Sequence, residues 1–175
     1  MARVSLTDLY QVPDILSGEA WYFLITNIPG SSGNTRNLAL KCVNSTLAGG
    51  TNEKMTVPLH GHQINFTGRS IQGQSLPITY YEDSTMDTWR NLRAWEQYVK
   101  GRRSGNSSGY KRDYSVNGIL EIYDTTGKLI NSTKYYHLFP QEIPDTTFDG
   151  TSSTAIQIQC TFSYDYSEDS IVALK

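Results

Sequence analysis

The sequence contains few cysteines and no long apolar segment. Its 175 residues include two cysteines, Cys42 and Cys160, which lie far apart along the chain. Charged or polar residues interrupt every hydrophobic run before it reaches the about 18 residues that a membrane-spanning helix needs, and the first residues lack the apolar stretch of a secretory signal. We therefore expect a cytoplasmic protein with reduced thiols and no membrane binding, in which each cysteine is a small buried hydrophobic residue.

A concentration of positive charge is also missing. The chain has 15 basic and 17 acidic residues, and its pI is about 5.9. Binding to nucleic acids by counterion release needs clustered lysine and arginine side chains, so this composition argues against a dedicated nucleic-acid-binding protein. The length suits a single domain over residues 1–175 with a substantial hydrophobic core.

Motifs of known catalytic chemistry are absent from the sequence. There is no Gly-x-Ser-x-Gly elbow, phosphate-binding loop or dinucleotide fingerprint. His60 and His62 stand close together, but no third ligand has a spacing typical of a metal site, so a surface loop is the preferred interpretation. The carboxylates Asp165, Glu168 and Asp169 are interpreted as solvated charges. We predict no enzymatic activity, no metal and no cofactor.

The residues that are abundant favour strands and turns. Twelve tyrosines and 14 glycines indicate a mainly β protein, because aromatic residues suit a pleated surface and glycine suits tight turns. In residues 154–164 apolar and neutral polar side chains alternate, which predicts a strand with two different faces. The polar face consists of Gln157, Gln159, Thr161 and Ser163. Strands are expected at residues 20–28, 36–43, 54–66, 76–81, 110–123, 128–139 and 154–164.

One helix is predicted at about residues 84–100. Ser84 is a candidate N-cap residue, Asp87 suits the positive end of the helix dipole, and Gly101 suits the C-terminal end. The apolar residues of this segment share one face, which is expected to pack on a sheet. They are Trp89, Leu92, Trp95 and Val99. The polar, glycine-rich residues 101–109 that follow are expected to form a flexible surface loop.

Four segments together resemble the tail tube proteins of contractile-tailed bacteriophages, which are related to the tube subunits of type VI secretion systems. They are LALKCVNSTLAGG with VPLHGHQINFTGR, LPITYYED with TMDTWRNLRAWEQYV, HLFPQEIPDTTFDG, and IQIQCTFSYDYSE. The resemblance covers about residues 36–166 and includes the order of the elements. It implies an antiparallel β-barrel or sandwich with one flanking α-helix at about residues 84–100.

The resemblance also implies a function in assembly. Six copies would close into a ring, and rings would stack into a hollow tube inside a contractile sheath, in the tail of a virion assembled in the host cytoplasm. The implied partners are further copies of the chain, the tail sheath protein, the tape measure protein, and baseplate and terminator proteins. DNA would pass through without specific binding, and Gln157, Gln159, Thr161 and Ser163 would face either the lumen or solvent.

Contacts between stacked rings are expected from two segments that combine apolar residues with turn formers. These are residues 44–55 and residues 4–16, and the candidate anchors are Leu47, Met55, Val57, Leu9 and Val12. Residues 1–17 and 101–109 are expected to be flexible or to contact neighbouring subunits. Three alternatives stay open: a baseplate protein that initiates the tube, a tube subunit of a secretion or contractile injection system, and a carbohydrate-binding β-sandwich that uses its Tyr and Trp residues.

Overall fold

The fold was analysed in a computed structural model. It describes residues 18–31, 35–72, 74–101, 109–148, 151 and 154–171. Within these ranges the chain forms nine strands and three helices. In chain order they are β1 (Trp21–Ile25), α1 (Thr35–Leu40), β2 (Cys42–Asn44), β3 (Gly50–Leu59), β4 (His62–Gln72), β5 (Ser75–Tyr81), α2 (Asp87–Lys100), α3 (Lys111–Tyr114), β6 (Val116–Tyr123), β7 (Leu129–Glu142), β8 (Gln157–Ser163) and β9 (Tyr166–Ile171).

The strands are antiparallel and form one large sheet and one separate hairpin. The large sheet has the order β1-β6-β7-β8-β5-β2, with β9 paired to β7. The long strand β7 connects two halves of this sheet: its first part pairs with β6 and β9, and its last residues pair with β8. The hairpin of β3 and β4 is a sheet of its own. The mainly β, antiparallel fold expected from the sequence is confirmed.

The core is one cluster to which both halves of the sheet contribute, and part of it lies where β5 and β8 face helix α2. Their inward residues pair directly across the two strands, with Leu76 opposite Phe162 and Ile78 opposite Cys160. All four side chains are buried. Trp95 of α2 belongs to the same cluster, and its ring centre lies 5.6 Å from that of Phe162. The alternation of apolar and polar residues in the sequence produced this arrangement, because successive side chains of a strand point to opposite faces.

Residues 36–43 do not form the predicted strand. They form helix α1 and the start of the short strand β2 instead. The segment contains Arg, Leu and Ala, which favour helices, and Leu38 and Ala39 are buried by it. Residues 110–115 also differ from the expected strand, since they include helix α3, and β6 begins at Val116. Two short helices therefore accompany the predicted helix, α2.

The C-terminal part contains a strand that the sequence analysis missed. Asp165, Glu168 and Asp169, which were interpreted as solvated charges, are exposed, and the last two belong to β9. Asp169 accepts a hydrogen bond from Thr133 Oγ1 at 2.5 Å, and Glu168 accepts one from Tyr136 Oη at 2.9 Å. Asp165 forms an ion pair with Lys111. These carboxylates therefore attach β9 and α3 to the sheet.

Helix α2 starts later than predicted and has a different cap. Met86, with φ of 53°, occupies the N-cap position without a side-chain hydrogen bond, so Ser84 is not the cap. Glu82 accepts the free N–H groups instead, from Thr88 at 3.1 Å and from Trp89 at 2.7 Å. A carboxylate at this end also complements the helix dipole. Gly101 ends the helix as expected, with its N–H directed to the carbonyl oxygen of Tyr98.

Candidate assembly surfaces

The hairpin of β3 and β4 is formed by local turn chemistry. His60 and Gly61 have φ values of 48° and 82°, and Leu59 pairs with His62 on either side of them. Two consecutive positive φ angles are the signature of the two-residue type I′ turn that joins twisted antiparallel strands. The segment 54–66, expected as one extended piece, is therefore two strands. The described residues contain no group of three His, Cys, Asp or Glu side chains arranged to hold a metal ion.

One face of this hairpin is apolar and, in the described part of the chain, exposed to solvent. Met55 pairs with Phe66 and Val57 pairs with Ile64, so that these side chains and Leu59 lie on the same face. The exposed fractions are 53% for Met55, 46% for Phe66, 45% for Leu59 and 42% for Ile64, and Val57 is intermediate. We call this set of five residues the apolar arm face. Among the described strands, β3 and β4 pair only with each other.

The opposite face of the hairpin is polar, and a side-chain hydrogen bond joins its two strands. Thr56 Oγ1 donates a hydrogen bond of 2.9 Å to Asn65 Oδ1 across the two strands. Near the root, an irregularity between Asn52 and Lys54 interrupts the register. Gly68 lies opposite it, and a Cβ atom there would stand 3.0 Å from the carbonyl oxygen of Glu53. Glycine therefore allows the close approach of the two strands at this bulge.

Tyr135 attaches the root of the hairpin to the core. Its side chain is fully buried, and its hydroxyl donates to the carbonyl oxygen of Thr46 at 3.0 Å and accepts the N–H of Ala48 at 3.1 Å. Burial raises the pKa of Tyr135 to about 12, so the hydroxyl keeps its proton as the donor. The chain that enters β3 is thus held at two backbone groups before the hairpin begins.

The predicted ring-contact residues occupy different places. Met55 and Val57 belong to the apolar arm face, whereas Leu47 is 52% exposed and lies with Trp21 and Ile122 in a cleft of about 290 Å³. Leu9 and Val12, with the rest of residues 1–17, lie outside the described residues, as do residues 102–108. Leu59, Ile64 and Phe66 were not among the predicted anchors. Their alternation on both sides of His60-Gly61 was the signal that could have revealed them.

The predicted polar face of the last long strand points away from the core. Gln157 and Gln159 are exposed, and Thr161 and Ser163 are half-buried. Their neighbours Ile158, Cys160 and Phe162 are buried on the other face. Ile156, which precedes the strand, is 38% exposed and does not continue this buried row.

The expected core face of helix α2 requires one correction. Leu92 and Trp95 are fully buried, and Val99 packs against the core as a partly buried residue. Trp89, however, is 38% exposed, and Thr88 is buried in its place. Residues 88, 92, 95 and 99 have the spacing of one helix face, and this face is the one that packs on the core. Trp89 lies beside this face and is therefore partly exposed.

Trp89 borders a groove beside the N-terminal end of helix α2. Residues 143–148 and the start of β8 line two adjoining cavities there, of about 540 and 360 Å³. Exposed apolar side chains surround them: Phe148 is 63% exposed, and Met86, Trp89 and Ile156 are each 38% exposed. We call the surface of these four residues the end groove.

The two cysteines are shielded thiols. Cys160 is buried and Cys42 half-buried, and neither forms a disulfide. Burial raises the pKa of Cys42 to about 12 and also raises that of Cys160. Since the thiolate is the reactive form, both residues are expected to react slowly at neutral pH.

Comparisons with known proteins bear on the fold. No protein-family model and no curated protein sequence matches this chain. Several solved structures, however, are similar to it. One chain of the PVC sheath–tube complex, an extracellular contractile injection system, is similar with a TM-score of 0.61 and 13% identity, covering 97% of this chain and 100% of that chain. One chain of the PVC sheath/tube terminator is similar with a TM-score of 0.64 and 12% identity, covering 90% and 98%.

A type six secretion system protein is also similar, with a TM-score of 0.51 and 14% identity, covering 85% of this chain and 80% of that chain. This chain has the fold of contractile-system tube proteins. The resemblance noted in the sequence is confirmed at the level of the fold. In the described residues, no helix has the length and apolar character needed to cross a lipid bilayer.

Proposed function

We propose that this chain is the subunit of the inner tube in a contractile-tailed bacteriophage. Six copies close into a ring, and rings stack into a hollow conduit for DNA inside a contractile sheath. The tube-protein fold supports a structural role in such an assembly. The observation that carries the proposal is the apolar arm face, which the described part of the subunit leaves exposed.

The physical argument begins with the hairpin. Two strands alone are marginally stable in water, and burying apolar side chains contributes about 25 cal/mol for each Å² removed from water. The apolar arm face presents five such side chains on a hairpin anchored only at its root. Docking onto a neighbouring subunit would bury this face and stabilise the hairpin. Met55 and Val57 would then act as ring-to-ring anchors, together with Leu59, Ile64 and Phe66.

Sheet edges supply a second reason for assembly. Among the described strands, β1 pairs only with β6, β9 only with β7 and β2 only with β5, so that each has one unpaired side. Exposed edges invite uncontrolled pairing unless they are covered. Lateral contacts between six copies in a closed ring would cover such edges, because each subunit presents a different edge to each of its two neighbours.

The proposed partners follow from this role. The outside of the tube would contact the tail sheath protein, the ends would meet baseplate and terminator proteins, and the tape measure protein would occupy the lumen before DNA. The net charge of −2 disfavours tight binding of DNA. Gln157, Gln159, Thr161 and Ser163 would face the lumen or solvent. The subunit would be assembled in the host cytoplasm and function in the virion.

A tube-ending protein of the same fold is a second candidate. The PVC sheath/tube terminator aligns with a TM-score of 0.64, compared with 0.61 for the sheath–tube complex chain. A terminator or a baseplate initiator would form one ring and stop, whereas a tube subunit adds ring upon ring. Electron microscopy of the purified chain distinguishes them by the length of the particles.

The experiment is negative-stain microscopy of the purified protein at increasing concentration. We expect rings and then stacked tubes with a central channel. Ile64→Asp places a charge on the apolar arm face and should abolish stacking. Asn65→Asp adds the same charge one residue away on the polar face, where the carboxylate still accepts the hydrogen bond of Thr56, and should leave stacking intact. A wild-type protein that stays monomeric at millimolar concentration contradicts the proposal.

A further inference from the structure

The molecule has a second uncovered apolar surface, which is the end groove. Met86 and Trp89 line it from the start of α2, and Phe148 and Ile156 line it from the segments before β8. Apolar side chains of this size gain stability when a partner covers them. In the described residues the subunit provides no such cover, since all four side chains are at least 38% exposed.

Strand β5 places this groove and the hairpin at opposite ends of the body. The hairpin joins β5 near Ser75, which pairs with Ser163 of β8. The groove lies at the other end of the same strand, where Tyr81 pairs with Gln157 and the N–H of Glu82 donates to the carbonyl oxygen of Ile156. A strand of seven residues separates the two ends by about 20 Å.

We propose that the end groove receives the apolar arm face of a second copy of this chain. The inference rests on the proposed stacking of rings and adds the surface that accepts the hairpin. The ten residues of strand β3 give the hairpin a reach of about 30 Å, enough to cross into a neighbouring ring. Because donor and acceptor are different surfaces at opposite ends, the stack is polar, and each added layer exposes the same surface as the layer before it, so that stacking continues.

The charges are compatible with this pairing. Asp145 lies at the groove and has no ion-pair partner among the described residues, whereas the nearby Arg93 is paired with Glu96. The hairpin carries two cations, Lys54 and Arg69, against the single anion Glu53. A slightly basic hairpin therefore approaches a groove whose unpaired charge is negative, which favours association over repulsion.

Complementation between two variants tests the inference. Ile64→Asp removes the donor and keeps the groove, and Phe148→Asp removes the acceptor and keeps the hairpin. Each variant alone should stop at single rings. An equal mixture should form particles of two layers and no more, because only one of the two possible pairings remains intact. Light scattering would then show a doubling of the particle mass, and circular dichroism confirms that both variants are folded.

Three results would overturn the inference. Phe148→Asp rings that stack as long as the wild type would show that the groove is not the acceptor. A mixture that stays at single rings would show that hairpin and groove are not partners. In either case wild-type tubes would still support the proposed function, so the two failures are distinguishable. Wild-type protein without rings or tubes would overturn both.

Disulfide cross-linking tests the same contact in a second way. Of the apolar residues in the two surfaces, it replaces only Ile64. Ile64→Cys combined with Thr147→Cys, on the rim of the groove, should give a ladder of linked dimers, trimers and longer chains upon oxidation of assembled tubes. A ladder is expected because every subunit has one donor and one acceptor. Asn65→Cys with Thr147→Cys is the matched control and should give little product. Equal products from both pairs would contradict the assignment of the apolar arm face to the groove.

Discussion

The hairpin β3–β4 and the strand pair β5–β8 have the same pattern of alternating side chains, and they differ in what covers them. In the pair β5–β8, Ile78 and Cys160 face each other and are each 1% exposed. In the hairpin, Met55 and Phe66 face each other and are 53% and 46% exposed. In the body, helix α2 packs against the sheet, whereas among the described residues no element covers the apolar arm face. We therefore expect mutations to affect folding in the body and assembly in the hairpin.

The largest effect on folding is expected from Trp95→Ala. The indole is fully buried, packs on Phe162 and donates a hydrogen bond of 2.8 Å to the carbonyl oxygen of Tyr114. Its removal should reduce the free energy of unfolding by about 3 to 5 kcal/mol, measured by urea denaturation. Trp89→Ala is the matched control and should cost far less. Equal losses for the two tryptophans would contradict the burial difference between them.

Tyr135→Phe tests the connection between the body and the hairpin. The substitution retains the buried ring but leaves the N–H of Ala48 and the carbonyl oxygen of Thr46 without the hydroxyl. We expect a loss of about 1 to 3 kcal/mol in the free energy of unfolding, and faster amide hydrogen exchange at residues 46–50. Tyr136→Phe removes a hydroxyl bonded only to an exposed carboxylate and serves as the control. Unchanged exchange at the root would argue against the anchoring role of Tyr135.

Glu82→Gln should have an intermediate effect. The carboxylate caps helix α2 and thereby positions Met86 and Trp89, which form one wall of the end groove. Loss of its charge should reduce the free energy of unfolding by about 1 kcal/mol, because a neutral amide complements the helix dipole less well. Thermal unfolding followed by circular dichroism measures this. A variant as stable as the wild type would assign the capping of α2 to other groups.

The smallest effect on folding is expected from Ile64→Asp. Its side chain is 42% exposed, and its strand β4 pairs only with β3 among the described strands. The free energy of unfolding of the subunit should therefore change by about 0.5 kcal/mol or less. Stacking, in contrast, should be lost. Denaturation in dilute solution, where rings do not stack, isolates the first quantity. A loss as large as that of Trp95→Ala would mean that the hairpin belongs to the subunit's own core.

Several elements were predictable from local chemistry alone. The alternation in residues 157–163 and the run before Tyr81 identified β8 and β5, because a buried strand needs one apolar face. Residues 36–43 were not predictable in this way. Their apolar residues suit either a strand or a helix. Arg, Leu and Ala favour the helix, and its packing against β1 buries Leu38 and Ala39, a contact that the local pattern does not contain.

Burial at individual positions was harder to predict than the elements themselves. Trp89 and Trp95 both belong to the apolar side of one helix, yet a rotation that brings Thr88 inward leaves Trp89 at the surface. The apolar face of the hairpin was partly anticipated through Met55 and Val57, but the turn at His60-Gly61 was interpreted as an ordinary loop. The turn needs a positive φ at two successive residues, and a histidine at the first of them does not indicate such a backbone conformation.

The sequence by itself determined that this protein is mainly β, that one long helix carries a buried tryptophan, and that no known catalytic motif is present, because periodicity and residue chemistry act locally. Only the tertiary structure decided which apolar faces are covered. The same alternation is buried in β5 and exposed in β3 because packing depends on elements that are distant in sequence. Those distant contacts placed the hairpin at one end of the body and the end groove at the other.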